Sequence, residues 1–137
     1  MPVTFELIIL LVTAVWTVSL VTPAFIARIM SPKGITWGLG NRDSEPNLPE
    51  WHGRSNRAHA NMVENLTPFA IIVLVAHIAG VSNDWTQGGA LGFLILRILH
   101  AICYIGGLTP WRTHIFNLSL VAEGVILFQI IQHAQFV

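Results

Sequence analysis

Charge is scarce in this chain. Only 10% of its 137 residues are Asp, Glu, Lys or Arg, where a soluble domain carries about 25%, and 53% are hydrophobic. That shortage points away from a soluble domain and toward a membrane protein. Seven basic residues balance seven acidic ones, with no basic run, which argues against a nucleic-acid partner. Cys103 is the single cysteine, so an internal disulfide framework and a multi-thiolate metal site are both excluded. Alone, it reads as a small packing residue. The six histidines contain no HExxH pair, and His52 and His59 stand seven apart across a loop-to-helix junction, so no metal site is expected. A cleaved signal peptide is also disfavoured. Glu6 is the only early charge, Arg28 and Lys33 come after the apolar run, and that run (5–27) exceeds the usual ~7–15-residue apolar region. It reads as a retained membrane helix.

What is present is four long apolar segments, at about residues 4–30, 56–80, 85–107 and 111–136. Each can cross ~30 Å of hydrocarbon at about 1.5 Å per residue. The expected fold is all-α, a single four-transmembrane-helix bundle over 1–137. Pro23 should kink the first span near its far end. Residues 31–55 form the only long polar connection, and Pro32, Gly34, Gly38, Gly40, Pro46 and Pro49 mark it as a structured loop. The other connections are tight, with a helix start after Val81-Ser-Asn-Asp84 and a helix end at Gly106-Gly107 before Pro110. Arg28, Lys33, Arg42, Arg54 and Arg57 cluster around the first loop, and Arg112 sits in the third. The positive-inside rule therefore places those loops in the cytoplasm and both termini outside, with Trp85 and Trp111 at opposite interfaces.

Two polar stripes interrupt the apolar runs. Arg57, Asn61 and Glu64 fall at i, i+4 and i+7 in the second span, and Arg97, His100 and Tyr104 at i, i+3 and i+7 in the third. A charge inside a span costs about 2.5–3.5 kcal/mol on insertion scales, so such groups mark a functional site whose members pair. Glu64 lies about 12 Å along its helix and Arg97 about 13–15 Å from the matching end of its own, so an ion pair between them is expected. The plain alternative is a structural polar clasp between helices. His59, Tyr104, Arg112 and Thr113 crowd the same end and exceed what one clasp needs.

Several cations, one carboxylate, an amide and hydroxyls suit a small zwitterion bearing more than one carboxylate. A thiol ligand fits well, because a nearby arginine and a hydroxyl donor stabilise the thiolate, the nucleophilic form. His77 and Glu123 are mid-span, and each reads as a satisfied buried group, Glu123 through an interhelical hydrogen bond. Gly88, Gly89 and Gly92 would allow close helix approach on the third span.

Arg57-Ala-His-x-Asn61-x-x-Glu64 followed by Arg97-x-x-His100-x-x-x-Tyr104 resembles the MAPEG family, the membrane-associated proteins of eicosanoid and glutathione metabolism. The likeness extends over nearly the whole chain, and the first loop, with Trp37-Gly-Leu-Gly-Asn-Arg42-Asp43, is closer to the bacterial-type members. The resemblance implies a homotrimer with glutathione, as co-substrate, between subunits at the cytoplasmic side. It implies glutathione contacts at Arg28, Arg57, Asn61, Glu64, Arg97, His100 and Tyr104. Arg112 would hold the thiolate, with Thr113 or Tyr104 donating a hydrogen bond. The expected activity is transfer of glutathione to, or reduction of, a lipophilic electrophile entering from the bilayer. The other expectation is a non-catalytic membrane subunit that keeps the bundle as an interaction module.

Overall fold

The computed structural model describes residues 2–43 and 47–134, and these are helical with no strand among them. The elements in order are α1 (Phe5–Ser19), α2 (Val21–Met30), α3 (Gly34–Leu39), α4 (Glu50–Ile78), α5 (Asp84–Gly106) and α6 (Thr109–His133). Helices α1 and α2 stack as one 26-residue span with a mean hydropathy of 2.2, and α4, α5 and α6 make three more at 1.4, 1.8 and 1.7. The chain is thus a four-span, multi-pass membrane protein. The expected end of the fourth span at residue 136 lies outside the described residues.

Three boundaries differ from the sequence reading, each for a local reason. The first span breaks at Leu20 rather than at Pro23. Pro23 has no N–H to give the Ser19 carbonyl four residues back, and its ring crowds that carbonyl, so the defect surfaces one turn upstream. The loop after it contains α3, because Gly34 lets the chain double back over the end of α2. A Cβ there would collide with the Arg28 carbonyl oxygen. Helix α4 begins at Glu50, six residues before the expected start. Its early turns bury His52 and Ser55, and its 29 residues span roughly 44 Å at 1.5 Å each, so they project beyond the ~30 Å hydrocarbon layer.

The short connections are tied down by polar side chains. Asn83 Oδ1 accepts from the Trp85 and Thr86 amides at 2.9 and 3.1 Å, and Thr86 Oγ1 accepts from the Asn83 amide at 2.9 Å, a capping box that starts α5. The carboxylate of Glu6, buried at the start of α1, accepts from Ser82 Oγ at 3.0 and 3.1 Å and from Thr86 Oγ1. It fastens the first span to the start of the third. At the opposite end Gly107 takes a left-handed conformation (φ 77°) and terminates α5. Arg54 Nε from α4 donates to the Ile105 carbonyl at 2.8 Å, capping that terminus from outside.

Helix α5 packs against α1, α4 and α6, most extensively α6. Phe69 and Phe93 stack at a centroid distance of 4.0 Å between α4 and α5. Gly89 is where α5 and α6 approach closely: a Cβ there would lie 2.8 Å from both the Ala122 carbonyl oxygen and Ile126 Cγ1. Gly88 faces open space, so of the three glycines Gly89 and, more loosely, Gly92 meet α6. The outward faces are apolar and bare on the single chain, with Val15, Val18 and Ile78 each at least 70% exposed. In a bilayer such a face meets lipid.

Candidate functional site

The site is organised around Arg97. This guanidinium sits in the interior of the bundle with 1% of its surface exposed. Burial of that charge is made tolerable by the acceptors that Nη2 and Nε find, while Nη1 is buried without a partner among the described residues. Nη2 donates to Asn61 Oδ1 at 2.6 Å and to the Asn61 carbonyl at 3.2 Å, and Nε approaches Met62 Sδ at 3.4 Å. Its Cζ lies 5.6 Å from the Phe116 ring on α6. The carboxylate that acts on it electrostatically is Glu123, two turns beyond Phe116 on the same face of α6.

The Glu64–Arg97 ion pair expected from depth is therefore absent. Glu64 is exposed on the single chain, and among the described residues the only ion pair is Arg54–Glu50 at 3.6 Å. The reason is rotational. Equal depth fixes height along two helices but not the direction each side chain faces. At about 100° per residue, Glu64 points away from the α5 face held by Ala58, Met62 and Phe69, whereas Asn61 flanks it. Among the described residues Glu123 also makes no interhelical hydrogen bond, the role the sequence reading favoured for it.

One turn beyond Arg97, His100 is buried with its ring 5.6 Å from Tyr104 and 5.8 Å from Phe116. Arg112, in the first turn of α6, lays its Cζ 4.4 Å from the Tyr104 ring centroid, within cation–π range. Asn61, His100, Tyr104, Arg112, Thr113 and Phe116 line one cavity of about 230 Å³. Because Arg97 occupies Asn61 Oδ1, the carboxamide is fixed with its two N–H donors left for a ligand. Thr113 Oγ1 reaches only its own helix, at 3.5 Å from the Thr109 carbonyl. A cation, an amide donor and two hydroxyls around one opening make an anion-accepting surface.

Five of the sequence-derived site residues thus share a wall: Asn61, His100, Tyr104, Arg112 and Thr113. Arg97 lies behind that wall as its support. Arg57 and Glu64 do not join it; both are exposed on the outward side of α4. Arg28 is elsewhere, in a second cavity beside Trp37 and Arg42. Sequence reasoning missed Phe116, whose ring touches both His100 and Arg97. The available signal was the seam Phe116, Ser119, Glu123, Ile126 at helical spacing. It also missed Pro68, which leaves the Glu64 carbonyl without its helical N–H partner. Among the described residues no His, Cys, Asp or Glu group could hold a metal.

A search among curated proteins finds no match. The sequence model of the MAPEG family matches residues 3–132, nearly the entire chain, through all four spans and every residue of the cavity wall. This protein belongs to the MAPEG family.

Proposed function

We propose that the chain is a glutathione-dependent membrane enzyme that transfers glutathione to, or reduces, a lipophilic electrophile drawn from the bilayer. The observation that carries this reading is Arg112 stacked on Tyr104 at 4.4 Å, at the rim of the cavity lined by Asn61, His100 and Thr113. Free thiols ionise near pH ~8.5, and a guanidinium close to the sulfur favours the thiolate over the thiol. Arg112 would hold that thiolate, with Tyr104 or Thr113 donating to it. Asn61 would donate its amide N–H groups to the peptide. His100 and Arg97 would keep the wall in register. In conjugation the thiolate sulfur bonds to the electrophilic carbon, and the displaced electron pair leaves with the departing group or takes up a proton.

Arg57, Glu64 and Arg28 serve the same ligand only if a second copy of the chain brings them to the cavity. Glu64 is a carboxylate on the outward face of a span, where a single chain would present it to lipid. Homotrimeric assembly covers it and gives the ligand's ammonium a partner. Orientation with the first loop cytoplasmic follows from the arginines and Lys33 around it.

The second reading, a non-catalytic subunit, draws on the Arg97–Asn61–Phe116 cluster, in which Arg97 Nη2 is held by Asn61 Oδ1 and the guanidinium lies near the Phe116 ring without any ligand. Calorimetric titration of the detergent-purified protein separates the two. Saturable binding of millimolar glutathione supports the enzyme, and no binding supports the subunit.

A further inference from the structure

The α5 side of the cavity wall is tied to α4 at two points. One is the hydrogen bond from Arg97 Nη2 to Asn61 Oδ1 at 2.6 Å. The other lies two turns further along α5, where Arg54 Nε donates to the Ile105 carbonyl at 2.8 Å. Arg54 precedes Asn61 by seven residues on α4, so the two share a face of that helix. His100 and Tyr104 lie between the two ties on α5. The second tie, roughly 12 Å from the first at 1.5 Å per residue, holds the end of α5 against pivoting.

The place of Arg54 in the turn is specific. Helix α5 ends in a Schellman turn: the Gly107 amide donates to the Tyr104 carbonyl at 3.2 Å and the Leu108 amide to the Cys103 carbonyl at 2.9 Å. Those bonds leave the Ile105 carbonyl among the terminal acceptors that a helix cannot serve from within, and Arg54 serves it from α4. A Cβ at Gly107 would stand 3.7 Å from Arg54 Cζ and Nε, so the guanidinium lies against the turn as well as the helix end. Just past the turn, the Arg112 amide donates to the Leu108 carbonyl at 3.1 Å and opens the hydrogen bonding of α6. The chain from Tyr104 to Arg112 is thus a short, bonded path. Its end residues are the pair whose ring and guanidinium meet at 4.4 Å. The ion pair of Arg54 with Glu50, at 3.6 Å, is solvated, with the Glu50 side chain 95% exposed, and adds little. The bond from Nε to the Ile105 carbonyl is what couples α4 to the turn.

We propose that Arg54 is a positioning residue for the glutathione thiolate: by capping α5 it fixes the turn that brings Arg112 onto Tyr104, and so sets how strongly Arg112 favours the ionised thiol. The inference rests on the proposed glutathione function and adds to it a residue outside the lining of the cavity.

The pH dependence of the ultraviolet thiolate band, read on the full chain in detergent at saturating glutathione, tests this. Glutamine carries its amide nitrogen at the side-chain position of the arginine Nε, and methionine puts a methyl there. Arg54→Met should move the midpoint of the band up by about one pH unit, since a guanidinium drawn away from the sulfur no longer favours the charged form. Arg54→Gln keeps the donor without the charge and should hold the midpoint of the parent. Should Arg54→Met fail to fold, Arg54→Lys takes its place. It keeps the charge but sets its donor one bond further out, so it too should raise the midpoint. A midpoint unchanged in Arg54→Met, or in Arg54→Lys where that replaces it, would overturn the proposal. So would a midpoint raised in Arg54→Gln as far as in the other variant, which would assign the effect to charge rather than to the cap. A parent protein with no thiolate band would overturn the glutathione function and this inference with it. A band in the parent with no shift in Arg54→Met or its replacement would overturn the inference alone.

Discussion

Asn61 and Glu64 stand three residues apart on α4, yet they occupy different surroundings. Asn61 flanks α5, and both its side-chain oxygen and its carbonyl are taken by the buried Arg97. Glu64 faces outward, exposed, and accepts no hydrogen bond from any described residue. Both lie at a depth where polar groups are expensive, so the contrast shows what depth alone does not decide. Height in the bilayer sets the cost of a polar group, and its direction around the helix sets who meets that cost. Asn61 has both its oxygens satisfied within the chain and shapes a wall. Glu64 is left for something outside the chain, which the proposed account assigns to a neighbouring subunit and its ligand.

The strongest way to break the comparison is to remove the inward charge. Arg97→Met leaves Glu123 buried and Asn61 Oδ1 without its donor. Losing one side of a buried polar pair typically costs about 3–5 kcal/mol. Thermal unfolding in detergent should drop steeply and the cavity wall should lose order. An unchanged melting temperature would show that Arg97 is not the support described here.

A smaller effect sharpens the packing side. Gly89→Ala places a methyl 2.8 Å from the Ala122 carbonyl oxygen, a backbone atom with little freedom to move, whereas the same change at Gly88 meets nothing within 4 Å. Overpacking of this kind costs about 1–3 kcal/mol. Melting of the two variants side by side should separate them, with Gly88→Ala close to the parent.

Smaller again is Glu6→Gln at the other membrane face. It replaces one acceptor oxygen with a donor opposite the Ser82 and Thr86 hydroxyls. A loss of about 1–2 kcal/mol is expected, visible as faster amide exchange at the start of α5.

Least affected in stability should be Glu64→Gln. Its outward position predicts a single-chain fold like the parent's, with the loss appearing instead as several-fold weaker glutathione binding in titration. If Glu64→Gln destabilised the chain as severely as Arg97→Met, the inward–outward distinction would be wrong.

Much of this was legible in the sequence, for identifiable reasons. The four spans follow from hydropathy and length, and the start of α5 from the Val81-Ser-Asn-Asp84 turn. On α5 the i, i+3 and i+7 spacing groups Arg97, His100 and Tyr104, whereas the same reasoning on α4 groups Asn61 with Arg57 and Glu64, which the single chain leaves exposed outside the wall. What was not legible needed the angle between helices. The Arg97 partner was misassigned because matched depth carries no information on rotation. The role of Glu6 was invisible because Ser82 and Thr86, which bind it, lie more than seventy residues away. Helix α3 was hidden because glycine and proline in residues 31–55 signal turns, and only folding shows that Gly34 serves to bring α3 onto α2.

The central claim is that Arg112, on the Tyr104 ring, ionises the glutathione thiol. Ultraviolet difference absorbance of the protein with saturating glutathione reads the bound thiolate directly. Tyr104 and Arg112 lie at the rim of the fold and bear no part of the Arg97 cluster, so Arg112→Ala should leave assembly and melting unchanged. The account predicts a thiolate band with the parent protein that is lost in Arg112→Ala at matched glutathione occupancy. A band of equal size in Arg112→Ala would contradict it.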